Sequence, residues 1–234
     1  MLKRVFEDIQ KDKDRWLQSR SGDDFEQRFE TALKKYGFNR IFKTDIERRA
    51  FKKIKAKIQN KRSDHLIENP FEKRKEFCNC FIFQPFGSQN FPDFLIFGKK
   101  FLLAIEIKYS KDKAVKPMWN SNLPKGNAVY IFGSYLFKDI TFFVGGDVLP
   151  MREREDLIDF FEEVKKHEYQ FQKDKRIELS VGKIKNERGF NVYIRRAFDQ
   201  NKNINKNAKI DYFNHPERIN IEKKVFLLLD QINS

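Results

Sequence analysis

Two carboxylates and one lysine, Asp93, Glu106 and Lys108, interrupt a segment that is otherwise apolar and bulky. Residues 94–97 and 101–107 read as strands buried on both faces, and Gly98 supplies the reversal between them. A two-residue Gly98-Lys99 loop has glycine first, the preference of a type II′ turn. That loop pairs Phe97 with Lys100 and sets Asp93 opposite Ala104. Glu106 then shares a face with Asp93 one diagonal step along, roughly 7–8 Å away between backbones. Lys108 follows on the same face because strand side chains alternate. An odd-numbered loop would put Asp93 and Glu106 on opposite faces.

A carboxylate pair of this kind can hold Mg²⁺ through oxygen and leave positions for water and a phosphate. A metal held there polarises the phosphate and acidifies a bound water. A neighbouring lysine can orient or deprotonate that water, or offset charge on a pentavalent phosphorus. The ordinary alternative is a half-exposed strand, with Glu106 and Lys108 facing solvent and Asp93 serving the turn after Pro92. Spacing alone leaves both readings open, since these residue types are common.

Pro92-Asp93, a hydrophobic run, and Glu106-Ile107-Lys108 together resemble the PD-(D/E)XK nuclease motif. The flanking stretches Gln84-Pro85-Phe86-Gly87-Ser88-Gln89-Asn90, Tyr109-Ser110-Lys111 and Lys116-Pro117-Met118-Trp119-Asn120-Ser121-Asn122-Leu123-Pro124 resemble those of a subset of type II restriction endonucleases. The looser similarity spans about residues 77–146. The resemblance implies that Asp93 and Glu106 ligate Mg²⁺, that Lys108 is the catalytic lysine, and that Glu26, on an early helix, completes the acidic cluster. It implies an α/β restriction-endonuclease-like core, a mixed β-sheet with a central hairpin flanked by helices, plus a C-terminal α+β extension. The implied activity is sequence-specific cleavage of double-stranded DNA to 5′-phosphate and 3′-hydroxyl ends. A homodimer matched to a palindrome is expected, as is pairing with a cognate DNA methyltransferase. Gln84, Ser88, Gln89, Ser110, Lys111, Trp119, Asn120 and Asn122 are the candidate DNA contacts around the motif. The alternatives are a structure-specific or repair nuclease of the same fold, or a basic DNA-binding protein without catalysis.

The chain's totals are compatible with this. A formal net charge of +14 favours a polyanionic partner. No apolar run approaches the roughly 20 residues of a membrane span, and the first eight residues lack the apolar segment of a secretory signal. A soluble, cytoplasmic protein is therefore expected. Cys78 and Cys80 share a strand face, are poorly placed for a mutual disulfide, and read as two buried thiols. With His65, His167 and His215 the only histidines, a structural zinc site is not expected. The 234 residues are read as a catalytic core, 1–170, and a C-terminal region, 171–234, that packs on the core and contributes to DNA recognition.

The elements that must position the motif follow from periodicity. Residues 2–17 read as one helix with Val5, Phe6, Ile9 and Trp16 apolar. A second helix runs from 23 or 24 to 36, with Phe25, Phe29, Ala32 and Leu33 on one face, and Gly37 stops it. Glu26 and Glu30 project from a common side. Asp23-x-x-Glu26 is also a capping box, so the role of Glu26 stays open. Residues 45–60 form a helix laden with Arg48, Arg49, Lys52, Lys53, Lys55 and Lys57 over a narrow stripe of Phe51, Ile54 and Ile58. It suits either a solvated face or phosphate contact. Strands are expected over 77–83, 128–132, 141–144, 177–181 and 190–198. A helix is expected over 151–169, and a last one over 217–232 anchored by Val225, Leu228 and Leu229. The basic, amide-rich stretch from Asp199 to Lys209 is composed as disordered chains are, and part of sequence readout is expected between Arg195 and Arg218. Its residue types also suit base and phosphate contact, so Arg195, Arg196, Asn201, Asn203 and Lys206 are candidates for sequence readout.

Overall fold

A computed structural model describes residues 1–18, 21–112, 114–119, 123–174 and 210–233. The expected strands over 177–181 and 190–198 lie outside the described residues, as do Asn120, Asn122, Arg195, Arg196, Asn201, Asn203 and Lys206.

The protein is α/β, built on one open, mixed sheet of seven strands. The strands are β1 (Asn39–Arg40), β2 (Ile67–Glu68), β3 (Cys80–Phe83), β4 (Phe94–Phe97), β5 (Phe101–Ser110), β6 (Val129–Ser134) and β7 (Asp139–Val144). Along the sheet the order is β1-β3-β4-β5-β6-β7, with β2 beside the start of β5. β3–β4, β4–β5 and β6–β7 pair antiparallel, whereas β1–β3 and β5–β6 pair parallel. The long β5 is thus the spine: β4 lines one edge, and β2 and then β6 line the other.

Both faces of the sheet are covered, which is why its central strands read as unbroken apolar runs rather than alternating ones. On one face Phe94, Ile96, Leu103, Ile105 and Ile107 meet α1 (Leu2–Lys11), α2 (Lys13–Leu17), α3 (Gly22–Lys35) and α7 (Arg218–Asn233). On the other face Leu95, Phe97, Leu102, Ala104, Tyr130 and Phe132 meet Ile54 and Ile58 of α4 (Arg48–Gln59), together with Trp119 and Phe213. A short helical turn, α5 (Gly145–Val148), leads from β7 towards α6 (Met151–Asp174). Arg154 of α6 is fully buried, donates to the Lys61 carbonyl at 2.8 Å and pairs with Asp64, fastening α6 to the loop after α4. None of the helices described is long and apolar enough to cross a membrane.

Several elements differ from expectation for local reasons. The first helix is two helices, because Asp12 leaves helical geometry and its carboxylate caps α2 by accepting from Arg15 N. The basic helix starts at Arg48 rather than 45, after a 3₁₀ turn at Lys43–Asp45. The strand expected from 77 starts at Cys80, after a 3₁₀ turn at Lys75–Phe77. Cys80 is buried but Cys78 is only partly so, and both thiols are free.

The hairpin register is also shifted. Phe97 pairs with Leu102, not Lys100, and Leu95 rather than Asp93 faces Ala104. Gly98 N donates to Phe101 O at 3.0 Å, so the two loop residues are Lys99 and Lys100. Gly98 does not have the positive φ of a type II′ turn, which Gly37 and Gly87 alone show among the described glycines. It is required by close approach instead: a Cβ there would lie 2.3 Å from Ile232 Cγ2 and 2.5 Å from Ile232 O. The loop remains even, so the two carboxylates keep their common face.

Candidate active site

Extending the observed register by one step sets Asp93 directly across from Glu106, nearer than the expected diagonal. Both follow from the strands' alternation: Leu95 of β4 and Ala104 of β5 lie on the face that packs Tyr130, and Asp93, Glu106 and Lys108 continue that face. In β6, Tyr130 stands opposite Glu106 and Phe132 opposite Lys108. Backbone hydrogen bonds anchor the pair. Asp93 Oδ2 accepts from Ile107 N at 2.7 Å, and Asp93 O accepts from Gln84 N at 2.6 Å.

Lys108 Nζ donates to Glu106 Oε1 at 2.8 Å and lies 5.7 Å above the Trp119 ring. A cation over an indole face is held electrostatically, so the ammonium is fixed from two directions. Glu106 Oε2 is buried and has no hydrogen-bond partner among the described residues. An unsatisfied charged oxygen is expensive. Burial first, then the charges of Glu106 and Glu26, push the Asp93 carboxyl up to about 8. Burial also raises the Glu26 carboxyl, with Gln84 acting against the shift and Asp23 and Glu106 adding to it. Three carboxyl groups therefore share one field, which Lys108 offsets.

Glu26 is not a capping residue. Ser21 is the N-cap of α3 and accepts from Asp24 N at 3.1 Å, which leaves Glu26 a full residue beyond the first turn. Its helix packs on the opposite face through Phe25, Phe29 and Leu33, so Glu26 reaches the cluster at the strand ends. There Gln84 Nε2 donates to Glu26 Oε2 at 3.2 Å. Gln84 has a left-handed backbone, φ +46°, a conformation that costs a non-glycine residue about 1–2 kcal/mol. Glu30, the other candidate from this helix, is buried between Lys34 and Arg40 at 2.6 and 2.8 Å and serves structure.

Gln84 is thus a neighbour of the cluster, its amide engaged by Glu26. Ser88 and Gln89 are exposed on the following loop, and Lys111 is exposed just past β5. Ser110 ends β5 with its hydroxyl exchanging hydrogen bonds with the Asp112 backbone. Trp119, expected to face a substrate, is instead 5% exposed and packs edge-on against Tyr130 at 5.0 Å. Its size makes burial the stronger drive, and its site role is to support Lys108. Tyr130 went unnoticed in the sequence because only the β5–β6 register brings it beneath Glu106.

The donors suit a hard divalent cation. Mg²⁺ binds through one or two carboxylates and keeps several waters, and Glu106 Oε2 and Asp93 could supply such a pair. Among the described residues no set of three or more His, Cys, Asp and Glu is spaced as a metal cage, so Glu26 stands outside direct three-ligand geometry. In comparisons with known proteins, the chain matches no family model, no curated protein and no solved structure.

Proposed function

We propose that the protein is a Mg²⁺-dependent endonuclease acting on double-stranded DNA in the manner of a type II restriction enzyme. The reading is carried by one observation: Asp93, Glu106 and Glu26 share a field at the strand ends beside Lys108, with Glu106 Oε2 buried and unsatisfied among the described residues. The chain's charge of +14 suits the polyanion. Asp93 and Glu106 would hold the ion. The chemistry that bound Mg²⁺ supplies is polarisation of the scissile phosphate and a more acidic water. Lys108, immobilised by Glu106 and Trp119, presents its ammonium to the attacking water and to the charge that develops on the phosphoryl oxygens. Glu26, oriented by Gln84, accepts a hydrogen bond or a proton from that water. In-line attack forms the new P–O bond as the P–O3′ bond breaks, and the departing 3′ oxygen takes a proton from solvent water, which leaves 5′-phosphate and 3′-hydroxyl ends. Two-fold pairing of the protein would match a palindromic site, and a cognate methyltransferase would protect host DNA.

Incubating the purified protein with a long DNA and Mg²⁺ tests this. Discrete bands with 5′-phosphate ends, abolished by Lys108→Ala and by chelation, are expected. A smear or branch-only cutting would indicate a shape-reading nuclease of the same chemistry. Duplex binding with no metal-dependent cutting would overturn the enzymatic reading.

A further inference from the structure

The helix α4 lies outside the acidic cluster and carries a charge pattern that folding does not explain. Arg48, Arg49, Lys52, Lys53, Lys55 and Lys57 are all exposed, the helix has no acidic residue, and none of the six makes an ion pair among the described residues. An ordinary solvated helix mixes signs. Here Arg48/Lys52, Arg49/Lys53 and Lys53/Lys57 are like charges four apart, each costing about 0.2–0.5 kcal/mol. Arg48 and Arg49 also sit at the N-terminus, where the helix dipole disfavours cations. The helix is held in spite of this by Ile54 and Ile58, both buried in the sheet's second face.

The cations form two stripes. Arg48, Lys52 and Lys55, at i, i+4 and i+7, lie beside Phe51; Arg49, Lys53 and Lys57 lie one stripe further round. Phe51 packs against Phe86 with ring centroids 5.6 Å apart, and Lys55 Nζ sits 5.3 Å from the Phe86 ring centre. Phe86 belongs to the loop that begins at Gln84, whose backbone bonds Asp93 and whose side chain bonds Glu26. The first stripe therefore borders the loop that leads to the cluster, and the second faces away from it.

We propose that the Arg48, Lys52 and Lys55 stripe of α4 docks the phosphate backbone of a DNA duplex whose scissile phosphate lies at the acidic cluster. The occupant is chosen by charge: three exposed cations with no ion pair among the described residues meet a polymer with a negative charge about every 1.7 Å along its axis. A bilayer surface fits less well, because the bulky apolar residues of α4 are buried or packed on Phe86 and none is presented for insertion. The identity of the duplex as substrate rests on the nuclease reading; the docking itself does not require cleavage.

Binding of the full chain to a short DNA duplex in EDTA, measured across a salt series, tests the assignment. Two triple variants carry equal charge changes: Arg48→Gln/Lys52→Gln/Lys55→Gln and Arg49→Gln/Lys53→Gln/Lys57→Gln. Glutamine keeps helix propensity, and circular dichroism confirms equal folding. For the first variant the slope of log K against log salt should shrink by about 0.9 per lost phosphate contact, about 2.7 in all. The second should change it by less than half as much. Equal losses, or none, would overturn the proposal, as would tighter binding to duplex RNA or to anionic phospholipid vesicles. Stripe-dependent DNA binding without any Mg²⁺-dependent cutting would uphold this docking and remove the nuclease. Cutting with both variants bound as tightly as the parent would do the reverse.

Discussion

One oxygen of Glu106 accepts from Lys108; the other is buried and meets no donor among the described residues. A cation binding there satisfies the oxygen and screens Asp93 from its two carboxylate neighbours, so it should stabilise the fold as well as serve chemistry. At a Mg²⁺ concentration about a hundredfold above Kd, linkage gives ~2.7 kcal/mol. Thermal unfolding should move upward with MgCl₂, and Glu106→Gln should lose most of that shift; an unchanged shift would place the ion elsewhere. Gln84 offers a second test. Gln84→Asn preserves a residue tolerant of left-handed backbone but shortens its reach to Glu26. Activity should fall roughly 10–100-fold, as for supporting residues around metal sites. Because the Gln84 bond holds the Glu26 carboxyl down, its acid limb in the pH–rate profile should move to higher pH. A drop in activity with no such movement would mean that Gln84 merely shapes the loop.

At the scale of elements, α7 is fastened to β7 by charge. Arg218 donates to both oxygens of Asp139, at 2.6 and 2.9 Å, and Lys13 of α2 adds a third contact at 2.5 Å. These partners outweigh burial and hold the Asp139 carboxyl below its ordinary value. A depressed folded pKa adds stability above the unfolded value, near 3.9, and that stability is lost as pH falls through the folded one. Asp139→Asn should therefore cost roughly 2 kcal/mol at neutral pH, and the cost should shrink progressively as pH is taken below about 3.9, which urea titrations across the acid range would measure. The same helix explains what sequence reading could and could not reach. The strands at 94–97 and 101–110 were legible because burial on both faces leaves only bulky apolar residues in them. Their register was not, because the turn at Lys99-Lys100 sits against Ile232 of α7, far along the chain, which leaves no room for a Cβ at Gly98 and accepts from Lys99 N at 3.2 Å. The common face of Asp93, Glu106 and Lys108 survived because it depends only on an even loop. Trp119 was misplaced because a tryptophan in a polar, proline-flanked stretch carries no local sign of the Tyr130 and Phe143 rings it packs on.

At the scale of the whole molecule, the last helix is part of the core it packs on. Val225, Leu229 and Ile232 are fully buried in the same core as Phe6, Phe29 and Phe142. Burying three such side chains is worth about 1.5–3 kcal/mol each, a sum comparable to the entire stability of an ordinary domain. Removing them also uncovers the apolar face of the sheet and leaves Asp139 without Arg218. A chain ending at residue 217 should not unfold cooperatively in urea. It should bind hydrophobic dyes and aggregate, although every candidate site residue among the described ones lies upstream of the cut. If instead the shortened chain unfolds in one sharp transition near the full-length midpoint, α7 is an appendage and the sheet's helical face is stable on α1 and α3 alone. The first outcome would tie the cluster's geometry to the C-terminus through Ile232 and the hairpin turn, making the last helix a structural requirement for any chemistry performed between Asp93 and Glu106.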